Sequence, residues 1–135
     1  IANQQNWSEL RMHGNMPERR SYHSSFIFED KMYIYGGLES KMDLLILVEL
    51  DLTQLQDLEA EEIENRHSCM WRQISQQGKK ENCPGPVAYH TSVVYKEQMF
   101  LFGGNNYAKT VQTYSNDEKN FTPLYSLNMK NFSWN

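Results

Sequence analysis

The stretch Lys31–Gly37, KMYIYGG, returns as Gln98–Gly104, QMFLFGG, with the same apolar and aromatic run and the same closing pair of glycines. What travels with each copy is displaced by the same distance. Tyr22-His23-Ser24-Ser25 and Tyr89-His90-Thr91-Ser92 lie 67 residues apart, as do Gly36 and Gly103. Trp7, Trp71 and Trp134 punctuate the chain at spacings of 64 and 63, and Gly14 and Gly78 each follow a tryptophan by seven positions. Recurrence on this scale marks a repeat architecture, in which one supersecondary unit stacks on the next.

Each copy reads as four short strands. HSSFIFED and HTSVVYKE alternate and end in a charged turn, while MYIYG and MFLFG suit a strand buried on both faces. The glycine pairs free the backbone for positive φ and for close approach by a neighbour. Ile46–Leu52, matched by Leu124–Met129, is the third strand; Met70–Ser75, matched by Phe132 onward, is the fourth. Trp7–Leu10 is expected to be the fourth strand of a preceding unit. Four strands per unit, with aromatics and glycines at fixed places, predict an all-β fold of two consecutive four-stranded antiparallel blades of a β-propeller.

The pattern resembles the kelch repeat, with its histidine in the first strand, Gly-Gly closing the second, tyrosine in the third and tryptophan in the fourth. Its leader GxxPxxRxxH is matched in copy one by Gly14, Pro17, Arg20 and His23. In copy two Pro84, Tyr89 and His90 keep register, but Val87 stands where arginine is expected and three extra residues separate Gly78 from Pro84. Copy one has Val48 where copy two has the family-like Tyr125. The resemblance implies structural roles for Trp7, Arg20, His23, Gly36, Gly37, Trp71, His90, Gly103, Gly104 and Trp134. The histidines are expected to bond between strands, the tryptophans to pack near the glycine pairs, and Arg20 to make polar contacts between blades. Residues 1–22 then hold the fourth strand of a preceding blade and a linker, 23–75 the first blade with an insertion over 53–70, and 76–135 the second.

A propeller closes with about four to eight blades. Two blades and a stray strand therefore call for further blades of the same propeller as partners, from a longer chain or by self-association. No stretch is long and apolar enough to span a membrane, and the start carries no basic-then-apolar leader, so membrane insertion is not expected. Cys69 and Cys83 are too few for a disulfide framework, and a reducing, cytoplasmic setting is expected. The glycosylation triplets at Asn6, Asn120 and Asn131 matter only in a secreted protein. The net charge is −4, and Asp57, Glu59, Glu61, Glu62 and Glu64 against Arg66 account for all of it. The balanced remainder, without a basic stripe, argues against a nucleic-acid surface.

Those acids lie between the third and fourth strands of copy one, in TQLQDLEAEEIENRHSCM from Thr53 to Met70. Thr53 and Gln56 have the spacing of a capping box, and Leu55, Leu58 and Ile63 can share a flank, which predicts a helix over about Gln54–Asn65. A solvated acidic loop is the alternative.

The opposite end of the blades collects Arg11–Tyr22, Leu38–Leu44, Gln76–Tyr89 and Asn105–Thr122. The kelch resemblance implies that this face and the channel mouth hold the partner. Its longest member, NNYAKTVQTYSNDEKNFT, mixes amides, hydroxyls and tyrosines, the composition of recognition loops. Partner binding is expected at Arg19, Lys41, Asn105, Asn106, Tyr107, Lys109 and Tyr114, with Arg19 meeting a carboxylate. No GxSxG elbow, HExxH or glycine-rich phosphate loop is present, and His67, Cys69 and Cys83 lack the spacing of a closed zinc site. No catalytic, cofactor or metal residue is assigned. The resemblance implies a non-catalytic protein-interaction scaffold, with ubiquitin-ligase, cytoskeletal or trafficking components as partners. The alternative is part of a kelch-type enzyme domain, metal- or carbohydrate-dependent, whose active residues lie outside this chain.

Overall fold

The computed structural model describes residues 9–39, 47–55, 68–78, 82–106 and 124–135. Among the described residues nine strands form two sheets: β1 (Arg11–Gly14), β2 (Ser24–Phe28), β3 (Lys31–Tyr35), β4 (Leu47–Asp51) and β5 (Ser68–Gln73) in the first, β6 (Val87–Tyr95), β7 (Gln98–Asn106), β8 (Leu124–Asn128) and β9 (Ser133–Trp134) in the second. Within each, four sequential strands pair antiparallel, β2-β3-β4-β5 and β6-β7-β8-β9. These are the two expected blades. The first hairpins reverse over charged pairs, Glu29-Asp30 and Lys96-Glu97, whose leading residues adopt φ of 52° and 53°.

Alternation decides which blade covers which side chain. Phe26, Tyr33, Tyr35 and Leu47 leave blade one toward blade two, where they meet Val87, Met99, Leu101, Leu127, Met129 and Trp134 in one apolar cluster. The other face of blade one carries Val48, Leu50, Cys69 and Trp71, backed by Leu10, Met32 and Ile34. Between the two faces every residue from Leu47 to Leu50 is buried, Glu49 included. That carboxylate is held by the Tyr33 hydroxyl at 3.0 Å and the Lys31 ammonium at 3.3 Å. Tyr33 in turn has its pKa pushed well up, first by burial and then by Glu49.

Of the strand expected at Trp7–Leu10, residues 7 and 8 lie outside the described residues and Glu9 and Leu10 are irregular; the described pairing is made just beyond, by Arg11–Gly14, which runs parallel to β5 at the outer edge of blade one. Gly14 explains the placement: it faces Trp71, an added Cβ would lie 2.4 Å from the Trp71 carbonyl, and its φ of +86° suits glycine. The same arrangement recurs one unit on. Gln77 bridges in parallel to Ser133, and Gly78 lies against Trp134. The glycine seven residues after one tryptophan thus docks on the next, which gives that spacing its meaning.

The helix expected over about Gln54–Asn65 lies, beyond Leu55, outside the described residues; at its start the Thr53 hydroxyl and amide both donate to Asp51, and the chain makes a short 3-10 turn over Thr53–Leu55. One further expectation is corrected. Asn105 and Asn106, expected in a loop, are the last residues of β7, because β6 and β7 extend to nine residues where their blade-one counterparts have five. In blade one the matching contact is only an isolated bridge between Ser21 and Leu38.

Candidate loop-face recognition site

The two blades are locked where the tyrosine-histidine pairs meet the glycine pairs. Gly36 packs so tightly on blade two that a Cβ there would lie 2.2 Å from the Val87 carbonyl and 2.9 Å from the His90 ring. The Gly37 amide donates to Val87 at 2.9 Å and the Tyr89 amide to Tyr22 at 3.0 Å. His90 is buried, with Nε2 2.8 Å from the Ser24 hydroxyl and its ring edge-on to Tyr35. The expected histidine hydrogen bond is therefore made between blades. Burial lowers the His90 pKa below its ordinary value, with the Tyr35 main chain pulling the other way and His23 adding to the drop. His23, its equivalent by sequence, is exposed.

This lock brings two tyrosines together that composition alone did not single out. Tyr22 and Tyr89 stack with ring centroids 4.0 Å apart, yet each stays about half exposed. Both have left-handed backbones, φ 59° and 62°, a region costly for a bulky residue. Their signal in the sequence was the 67-residue echo of Tyr-His.

Beside them, Arg19, Arg20, Ser21, Leu38 and Glu39 line an open pocket of about 390 Å³. Arg20 donates to the Gly36 carbonyl at 3.0 Å and to Glu39 Oε2 at 3.1 Å. Both side chains of the ion pair are almost fully buried, 5% and 6% exposed, and Glu39 Oε1 finds no hydrogen-bond donor among the described residues. Arg19 is exposed at the rim. Blade two has Val87 and Asn106 paired in the matching register, so the charged residues are lost together. A buried ion pair deprived of one member leaves an uncompensated charge, whereas replacing both is tolerated.

Of the other expected contact residues, Asn105 is exposed at the end of β7, and only the strand position of Asn106 is described. Lys41, Tyr107, Lys109 and Tyr114 lie outside the described residues, as does His67. Trp71 and Trp134 are core, but each serves a different interface. Trp134 meets Tyr35 of blade one edge-on and donates to Gln76 Oε1 at 2.7 Å, whereas Trp71 donates to Met12 Sδ at 3.2 Å. Cys69 and Cys83 are unbridged and belong to separate apolar clusters. Among the described residues no group of three or more His, Cys, Asp or Glu is placed to hold a metal ion, and no helix is long and apolar enough to cross a membrane.

Comparison with known proteins agrees with this architecture. Residues 2–135 match the KLHDC2/KLHL20/DRC7 Kelch-repeats domain. The chain is 27% identical over 105 residues to leucine-zipper-like transcriptional regulator 1 of Homo sapiens and of Mus musculus, covering 76% of this chain and 11% of those proteins. It is 24% identical over 126 residues to beta-scruin of Limulus polyphemus, covering 90% of this chain and 12% of that protein. The chain thus spans about a tenth of the length of the curated relatives it matches.

Proposed function

We propose, on the premise that this chain belongs to the kelch-repeat β-propeller family, that its blades are a non-catalytic scaffold whose loop face recognises a protein or peptide segment. The observation that carries this reading is the exposed Tyr22–Tyr89 stack, held by left-handed backbones next to the Arg19-rimmed pocket. The inter-blade core is built from other side chains, and both tyrosines keep about half of their surface exposed. Rigid aromatic area with few rotatable bonds beside polar groups is what protein recognition uses. The second partner is internal. Val93, Tyr95, Phe102 and Leu124 form an exposed apolar face on blade two, and we read it as the seat of a following blade.

The test replaces Arg19 by Ala and both tyrosines by Asn, which tolerates left-handed backbone. Proteins captured by the full-length protein in cells are compared with those captured by the triple variant. The reading predicts that the captured set shrinks while Tm falls by only a few degrees. An unchanged set at unchanged Tm contradicts it.

A further inference from the structure

We infer that Tyr22 and Tyr89 form an oxidative cross-linking site, where a haem peroxidase with hydrogen peroxide joins the two rings into a dityrosine that ties blade one covalently to blade two. Among the described residues they are the one pair of tyrosines whose rings stack, with centroids 4.0 Å and planes 29° apart. The main chain holds them there. The Tyr89 amide donates to the Tyr22 carbonyl at 3.0 Å, and both residues keep left-handed φ. Each side chain is still 54% and 50% exposed, so a one-electron oxidant in solvent reaches both. Other tyrosines meet only part of this condition. Tyr33 and Tyr35 are buried, with hydroxyls that donate to Glu49 Oε2 and to the Gly85 carbonyl. Tyr95 is exposed, but the described group over its ring is the Lys96 ammonium.

The chemistry balances with peroxide as the oxidant. Each phenol gives one electron to the oxidant and its hydroxyl proton to water, which leaves two phenoxyl radicals whose spin is shared with the ring carbons beside the C–O bond. One such carbon from each ring couples, a C–C bond forms, and the hydrogen displaced on each ring moves to its oxygen to restore the phenol. Hydrogen peroxide takes up the two electrons and two protons and leaves as two waters. Rings already in contact make the coupling an intramolecular step, faster than encounter between chains. The new bond joins positions 67 residues apart, which restricts the unfolded chain far more than the folded one. No partner takes part, so the cross-link does not depend on what the loop face recognises.

The test treats the full chain, dilute enough that chains rarely meet, with hydrogen peroxide and a haem peroxidase. Products that run as single chains on a denaturing gel are digested and mapped by mass spectrometry, and dityrosine fluorescence is followed in parallel. The expected product is two hydrogen atoms lighter, carries Tyr22 and Tyr89 in one cross-linked peptide pair, and unfolds at a higher urea concentration than the untreated chain. Tyr22→Phe and Tyr89→Phe each keep a ring to stack and lose the phenol. Each is expected to fold as before and to yield at least about tenfold less single-chain dityrosine. Oxidation in urea, where the stack is lost, should lower the Tyr22–Tyr89 product as far. The inference is overturned if another tyrosine pair supplies most of the single-chain product, or if either variant cross-links as well as the unmodified chain. It is overturned equally if no bond forms between Tyr22 and Tyr89, and a tied chain with no higher urea midpoint overturns the lock between blades.

Discussion

His90 shows what one residue does at a blade boundary. Its imidazole is buried between Ser24 and Tyr35, and burial holds its pKa below the ordinary 6.5. Below that ordinary value the unfolded chain binds a proton that the folded chain resists, so acidification favours unfolding until the folded pKa is also passed. Stability measured by urea denaturation should therefore fall as pH drops below about 6.5. His90→Gln, which cannot titrate, should flatten that part of the profile; an identical slope in the variant would assign it to other groups. Gly36 and Gly103 make a second residue-scale pair. Both have left-handed φ, which alone costs a substituted alanine about 1–2 kcal/mol. Only at Gly36 does a Cβ also strike the neighbouring blade; at Gly103 nothing lies within 4 Å. In the isolated chain Gly36→Ala should lower the urea midpoint at least about twice as far as Gly103→Ala. Equal losses would mean that the two blades are not packed through Gly36.

At the scale of elements, β1 depends on one glycine. Gly14→Ala would set a Cβ against the Trp71 carbonyl, so β1 should detach from β5. Amide exchange of Asn15, whose N–H bonds Trp71 at 3.0 Å, should then become fast while the β2-β3 amides stay protected. Slow exchange at Asn15 in that variant would show the parallel pairing to be held by something else. The strands within a blade were readable in the sequence because apolar alternation and the glycine pairs report directly on burial and on backbone conformation. The β1 pairing was not, since alternation within a strand carries no information on which edge it joins. The Arg20–Glu39 contact was hidden for a related reason: the two residues meet only once β3 and the Ser21–Leu38 bridge fix the chain between them. A trace existed in the joint change to Val87 and Asn106 in copy two.

For the whole molecule, three equivalent apolar positions in the two blades differ in how far they are covered. Phe26, Tyr35 and Leu47 are 8%, 0% and 0% exposed, whereas their counterparts Val93, Phe102 and Leu124 are 61%, 52% and 63% exposed. The residues are of one kind; what differs is that blade two covers the first set. Burying each side chain of the second set is worth about 1.5–3 kcal/mol, enough to seat another blade. The decisive measurement is hydroxyl-radical footprinting of the full-length protein, read residue by residue by mass spectrometry. Stacked blades with a free loop face predict that Tyr35 and Phe102 are both protected while Tyr22 and Tyr89 are labelled. Phe102 labelled as readily as Tyr22, or Tyr35 labelled at all in the folded protein, would contradict that arrangement.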